Sequence, residues 1–214
     1  MKISSFATVA FVVVLASASV LSAGTLTLTI EVDKAEYMPG EDVTWDVYVS
    51  TDADANDHGI SAVAVDLFES QPTQLIAKAT SIGPDFSLAN GYVAALLGVP
   101  TLGTENGNSL VAVGEGQAQN GGNALHRMHQ GGGPTLLATG SYVATAEGLH
   151  VLTADVPEAT SATYWTAASP GITNANYLVV PSSANFTVTP EPGTMVLLLG
   201  AVVGGALLWW RRRK

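Results

Sequence analysis

The sequence predicts an all-β fold: a single antiparallel β-sandwich of about eight strands over residues 24–189, flanked by a helix at each end of the chain. Three observations predict it. Short stretches alternate apolar and polar residues with the period of two that a half-buried strand requires. Clusters of Gly, Pro, Asn and Asp punctuate those stretches. Between the two ends no segment carries a long 3.6-residue period. Many short strands with frequent turns close into sandwiches rather than into α/β layers.

The elements follow in order. In residues 25–33, Leu26, Leu28, Ile30 and Val32 alternate with Thr25, Thr27, Thr29, Glu31 and Asp33. Tyr37 to Asp42 is a turn built on Pro39-Gly40. Val43, Trp45, Val47 and Val49 then alternate with Thr44, Asp46, Tyr48 and Ser50. A polar loop, 51–59, leads to a third strand, Ile60–Phe68, with Val63, Val65 and Leu67 in phase. Further strands are expected at 75–80, 109–113, 135–146, 148–155, 177–180 and 185–189. In the stretch 135–146, Leu137, Thr139, Ser141 and Val143 share a phase, with Gly140 as the expected bulge. In the next strand, Leu149 and Val151 are read as the apolar side. Residues 84–98 fit either a short helix or a loop. Residues 114–133 are rich in Gly, Gln and Asn and read as a long mobile loop.

The chain of 214 residues has a net charge of −10 and no cysteine. Disulfides, thiol catalysis and Cys-ligated zinc are thereby excluded. Between residues 25 and 189 stand 17 carboxylates against Lys34, Lys78 and Arg127, a net charge of −14. Such a surface repels phosphate backbones, so no nucleic-acid partner is expected.

The two ends read as processing segments. Residues 1–23 have the form of a secretory signal peptide: Lys2, an apolar run from Phe6 to Leu15, and small residues up to a cleavage point after Ser22 or Ala23. At the other end, residues 190–214, Pro190-Glu191-Pro192 is followed by an apolar run from Met195 to Trp210 and then by Arg211, Arg212, Arg213 and Lys214. A transmembrane helix is expected over 194–210. Its apolar run of about 16 residues rises roughly 24 Å as a helix, slightly short for a bilayer unless the basic cluster snorkels or the bilayer thins. Trp209 and Trp210 sit where an interfacial aromatic belt belongs, and the basic tail 211–214 orients this end to the cytoplasm. A tripeptide with two prolines continues neither helix nor strand, so it forms an accessible hinge. The alternative is an ordinary tail anchor with a chance Pro-Glu-Pro in its stalk.

This order of parts resembles the PEP-CTERM sorting domain of bacterial envelope proteins. The resemblance implies that Pro190, Glu191 and Pro192 are a substrate motif for an exosortase-like processing enzyme. It also implies an exported chain held by its C-terminal helix with the folded domain outside, then released or transferred to the cell surface or matrix, in association with exopolysaccharide or biofilm. In the middle of the chain, the phrase from Tyr37 to Val49 and the later Gly59 to Leu67 resemble the early strands of cohesin-like domains, a group of sandwiches related to carbohydrate-binding modules and immunoglobulin-like domains. That resemblance implies fold; function does not transfer with it.

Few residues form a chemical constellation. Asp52, Asp54, Asn56 and Asp57 have oxygen-ligand spacing like the start of a calcium loop. Asp57, however, occupies the position that needs Gly, and Val63 the position of the bidentate Glu. Calcium is the one ion the sequence suggests, and a solvated acidic loop is the plainer reading. His126 and His129 lack a third zinc ligand, with His58 and His150 distant in sequence. No Gly-x-Ser-x-Gly elbow is present, and no catalytic residue is assigned. Asn185-Phe186-Thr187 matches a glycosylation sequon but reads as strand. Trp45, Tyr48, Tyr92, Tyr142, Tyr164, Trp165 and Tyr177 serve either a core or a sugar-stacking face. Tyr48 stands out because it is out of phase with its strand's apolar side. The sequence thus predicts a non-enzymatic envelope protein, with a polysaccharide- or protein-binding module as the alternative.

Overall fold

The computed structural model describes residues 24–52, 60–86, 101–116, 133–156, 162–165, 174–190 and 192–212. The expected signal segment, 1–23, lies outside them. The described strands are β1 (Thr25–Val32), β2 (Glu36–Tyr37), β3 (Asp42–Thr51), β4 (Ile60–Glu69), β5 (Ala79–Ile82), β6 (Thr101–Asn106) and β7 (Ser109–Gly116). They continue with β8 (Thr135–Val143), β9 (Gly148–Asp155), β10 (Ala162–Trp165), β11 (Asn174–Asn176), β12 (Leu178–Val180) and β13 (Ser182–Val188). A short 3-10 helix covers Pro84–Phe86, and a single α-helix, α1 (Pro192–Arg212), follows the last strand.

The strands form two sheets. The first has the order β12-β1-β3-β8-β5. The second runs β11-β10-β4-β9-β13-β2, with β7 beside β4 and β6 beside β7. The fold is the expected β-sandwich, with two corrections to its expected form. Thirteen strands are described where about eight were expected: β2, β10 and β11 are two to four residues long and too short to show an alternation, and β6 carries one large apolar residue, Leu102, in six. The sandwich is also not wholly antiparallel: β1 pairs with β12, and β2 with β13, in parallel.

Alternation in the sequence becomes the core. Leu26, Leu28 and Ile30 of β1, Val43, Trp45, Val47 and Val49 of β3, and Val63, Val65 and Leu67 of β4 are all buried. Burying each such side chain contributes roughly 1.5–3 kcal/mol relative to exposure. Two phases differ from expectation. In β8 the register with β3 shifts between Val47 and Tyr48, which leaves Leu137 as the extra residue. Beyond it Ala138, Gly140 and Tyr142 point inward, while Val143 is exposed. Gly140 is therefore not the bulge. Its place is fixed by Trp45, whose Cζ2 would lie 2.3 Å from a Cβ at position 140. In β9 the buried residues are His150, Leu152 and Ala154, and Leu149 is exposed. The strand expected at 75–80 begins later, at Ala79.

The C-terminal helix forms where it was expected, but among the described residues no helix is long and apolar enough to cross a membrane. The reason is length. The 21 residues of α1 include Pro192, Gly193 and Thr194 at one end and Arg211 and Arg212 at the other. The apolar remainder spans about 24 Å against the roughly 30 Å of a typical hydrocarbon core.

Candidate functional site

Strand directions give the sandwich two ends. Antiparallel pairing of β1 with β3 sets Leu26 opposite Thr51 and Val32 opposite Trp45. Gly24 and Asp52 thus mark one end. The turns 38–41, 70–78, 106–108 and 143–148 mark the other, together with the C-terminus of β13, where Val188 lies opposite Gly148 and beside Tyr37. We call the second the exit end, because the chain leaves the sandwich there.

The exit end is tied together by buried polar side chains. Glu69 ends β4 in the same inward phase as Val63, Val65 and Leu67, and it is fully buried. Its Oε2 accepts from the Tyr142 hydroxyl at 2.7 Å. Its Oε1 accepts from the Gln71 N–H at 3.1 Å and the Ser70 hydroxyl at 3.2 Å. His150, also fully buried, approaches the same Oε1 through Nδ1 at 3.2 Å. That approach makes no hydrogen bond; the two side chains are held there by their other bonds. The opposite ring nitrogen, Nε2, lies 2.8 Å from the Ala146 carbonyl, so Nε2 carries a proton to donate. The imidazole stacks on Phe186 at 4.7 Å, and Tyr37 meets the same ring edge-on. Buried polar groups of this kind persist only when nearly every donor and acceptor is matched.

Gln74, 1% exposed, does the same for the neighbouring turns. Its Nε2 donates to the carbonyls of Val143 at 2.7 Å and Leu75 at 3.1 Å, and its Oε1 accepts from Thr145 N–H at 2.9 Å. Gln71 Nε2 donates to the Leu149 carbonyl at 2.7 Å. The turns 70–78 and 143–148, distant in the chain, are thereby fixed to one another. Burial, with the Glu69 charge next to it, pushes the Tyr142 hydroxyl well above its ordinary range. Burial and the Asp33 carboxylate do the same for Tyr37. Burial alone would raise the Asp33 carboxyl, but the Tyr37 hydroxyl at 2.6 Å and the Thr44 N–H at 2.9 Å outweigh it and hold it below its ordinary value.

The last ladder bond of the sandwich is made one residue before the expected sorting motif. Thr189 N–H donates to the Tyr37 carbonyl at 2.9 Å. Pro190 follows, half-buried, and α1 begins at Pro192. Along α1 the side chains Val196, Leu197, Leu198, Leu199, Val202, Val203, Trp209 and Trp210 are 56–76% exposed. Arg211 and Arg212 are exposed in its last turn. Glu191, Arg213 and Lys214 lie outside the described residues.

The other expected site residues are dispersed. Asp54, Asn56 and Asp57 lie outside the described residues, as do His58, His126 and His129. Asp52 is exposed, and its Oδ1 accepts the Thr25 N–H at 2.8 Å. Among the described residues no group of three or more His, Asp and Glu is placed to hold a metal ion. Tyr48 is half-buried on the outer face of the first sheet, opposite Thr29 of β1. Burial, then Asp46 and Glu31, raise its hydroxyl above the ordinary value. No row of aromatics joins it among the described residues, because Trp45, Tyr142, Tyr164 and Tyr177 are buried in the core. The side chains of Tyr92 and Trp165 lie outside the description.

Sequence reading missed the Glu69–His150–Tyr142–Gln74 network. One signal was present: Glu69 continues the inward phase of β4. The others were hidden by the β8 bulge and by the inverted phase of β9.

The backbone path is similar to that of several solved domains. One is a type I cohesin of Pseudobacteroides cellulosolvens, with 12% identity over 78% of this chain and 94% of that one, at a TM-score of 0.45. A second type II cohesin module of an Acetivibrio cellulolyticus adaptor scaffoldin has 13% identity over 79% and 99%, at 0.43. A further type II cohesin of Acetivibrio cellulolyticus has 14% identity over 74% and 94%, at 0.41. No family model and no curated protein matches the chain.

Proposed function

We propose that this chain is an exported, non-enzymatic cell-envelope or matrix protein, held at a membrane by α1 and processed near Pro190–Pro192 by an exosortase-like enzyme. One observation carries the reading. The sandwich closes its backbone ladder at Thr189, while the helix that follows leaves its apolar side chains bare. Exposed apolar surface on that scale marks a partner surface, and a helix ending in arginines fits a lipid interface, where the guanidinium groups snorkel to water. Because α1 is short for a full crossing, the hold relies on that snorkelling and on local thinning. The two prolines keep the junction out of both helix and strand. Nothing in the proposal requires catalysis: the one acid–imidazole–phenol set among the described residues is sealed and committed to turn carbonyls and to its own members.

The test is fractionation of cells producing the full chain beside a variant with residues 195–210 scrambled to a polar sequence. The reading expects the natural chain at the membrane or, after shortening, outside the cell, and the variant at neither station in the same form. Identical location and size for the two chains would refute it.

A second reading, a polysaccharide- or protein-binding module, is favoured by Tyr48. This half-buried ring stands on an open sheet face rich in hydroxyls, beside Asp46 and Glu31. Saturable glycan retention that is lost in Tyr48→Ala supports it, and retention unchanged by that substitution removes it.

A further inference from the structure

The exit end carries a feature that export and processing do not use. Met38, Leu75, Val143 and Leu149 come from four separate turns or strand ends, and they are 40%, 68%, 46% and 61% exposed. They belong to the same end of the sandwich. Gly40 N–H bonds the Ala144 carbonyl at 2.7 Å, which brings the Met38 turn to the end of β8. Gln74 binds the carbonyls of Leu75 and Val143, and Gln71 binds that of Leu149. The buried network around Glu69 therefore backs a rim of apolar side chains. An exposed leucine is unremarkable alone. Four large apolar side chains, each anchored through its own backbone or its turn, present a surface whose shape does not depend on what it meets.

The position of this rim identifies what it meets. Thr189 is bonded to the carbonyl of Tyr37, the residue next to Met38, and α1 starts at Pro192. Three residue steps of at most about 3.8 Å each keep the start of the apolar helix within about 11 Å of that bond. Whatever surface receives the helix is within reach of the rim. We propose that the exit end of the sandwich rests on a lipid surface, with Met38, Leu75, Val143 and Leu149 entering the headgroup region beside α1. This inference rests on the membrane hold proposed above. Charge narrows the kind of lipid. Glu36, Asp42, Glu105 and Glu147 are exposed at this end, Glu41 is paired with Lys34 at 3.6 Å, and Lys78 is the other cation there. The surface is therefore zwitterionic, since an anionic one would repel the carboxylates. The opposite end, with Asp52, faces away, and so does the side from which the expected signal segment precedes Gly24.

The absence of cysteine allows a direct test with single-cysteine variants of the full chain. Each carries an environment-sensitive fluorophore, and the probe surface is phosphatidylcholine vesicles containing nitroxide-labelled lipid. Thr73→Cys reports the exit end, Ser50→Cys the opposite end and Val203→Cys the helix. The proposal expects strong quenching at 203, clear quenching at 73 and none at 50. Quenching at 73 should fall as phosphatidylglycerol replaces phosphatidylcholine. In the Thr73→Cys background, Leu75→Ser and Leu149→Ser should each reduce the quenching at 73 while leaving binding in place. Both replaced side chains are exposed, so each variant retains the fold. Quenching at 203 without quenching at 73, or equal quenching at 73 and 50, overturns the rim proposal and leaves the membrane hold standing. No quenching at 203 overturns the hold itself and the rim with it.

Discussion

The two ends of this sandwich are built on opposite plans. At the exit end, short turns are locked by side chains that never reach solvent: Glu69, Gln74, Tyr142 and His150 take up carbonyls and N–H groups from turns 70–78 and 143–148. At the other end, the one described acidic side chain of the 52–57 cluster is exposed and makes a single bond from Asp52 to the first strand. The turns beside Thr189, where the chain leaves the sandwich, are thus fixed by buried side chains of the fold itself.

Substitutions at the two ends test the contrast, beginning with the largest effect. Glu69→Ala removes the acceptor of three hydrogen bonds and leaves His150 and the Tyr142 hydroxyl buried without it. Chemical denaturation should show a loss of about 3–5 kcal/mol, the usual cost of breaking a buried charged network by deleting one member. Gln74→Ala leaves the Thr145 N–H and the Val143 carbonyl to find other partners, and should lose about 2 kcal/mol. Tyr142→Phe keeps the ring and removes one bond to a carboxylate, for a loss of about 1.5 kcal/mol at neutral pH.

The same variant sharpens the comparison with pH. The folded state holds the Tyr142 and Tyr37 hydroxyls above their ordinary value of 10.0. The stability they support is present below pH 10 and is lost as pH rises beyond it, because the unfolded chain then releases protons that the folded chain keeps. Thermal melts should show a steep alkaline decline in the natural chain and a shallower one in Tyr142→Phe. Asp33 acts with the opposite sign. Its lowered value supports stability above 3.8 that is lost on acidification below it. At the other end, Asp52→Asn retains an acceptor for Thr25 and should change stability by no more than about 0.5 kcal/mol. A loss there as large as that of Gln74→Ala would erase the contrast between the ends.

Much of the sandwich was legible because β1, β3 and β4 are long and strictly alternating. Leu26, Trp45 and Val63 fall on the inner face as their phase requires. The errors have local causes. One extra residue at Leu137 reverses every later position of β8, so Tyr142 enters the core and Val143 leaves it. In β9 the inward face begins with a histidine, and the apolar Leu149 and Val151 misled because exposed apolar residues are common. His150 becomes intelligible as a core residue only once Glu69 and Phe186 stand beside it, and that proximity is tertiary. The C-terminal helix was legible for a different reason: an apolar run with a proline before it and arginines after it is local chemistry, although no described helix is long and apolar enough to cross a membrane.

Under the proposed function the folded domain ends at Thr189 and the segment that follows holds it only for a time. The most direct measurement is the intact mass of the mature protein recovered from the envelope and medium of its own producing cells. The account predicts a C-terminus between residues 189 and 193 on a domain that melts as cooperatively as the uncut chain. A mature chain that keeps Trp209, Trp210 and the arginines, or a shortened one that has lost its fold, would contradict it.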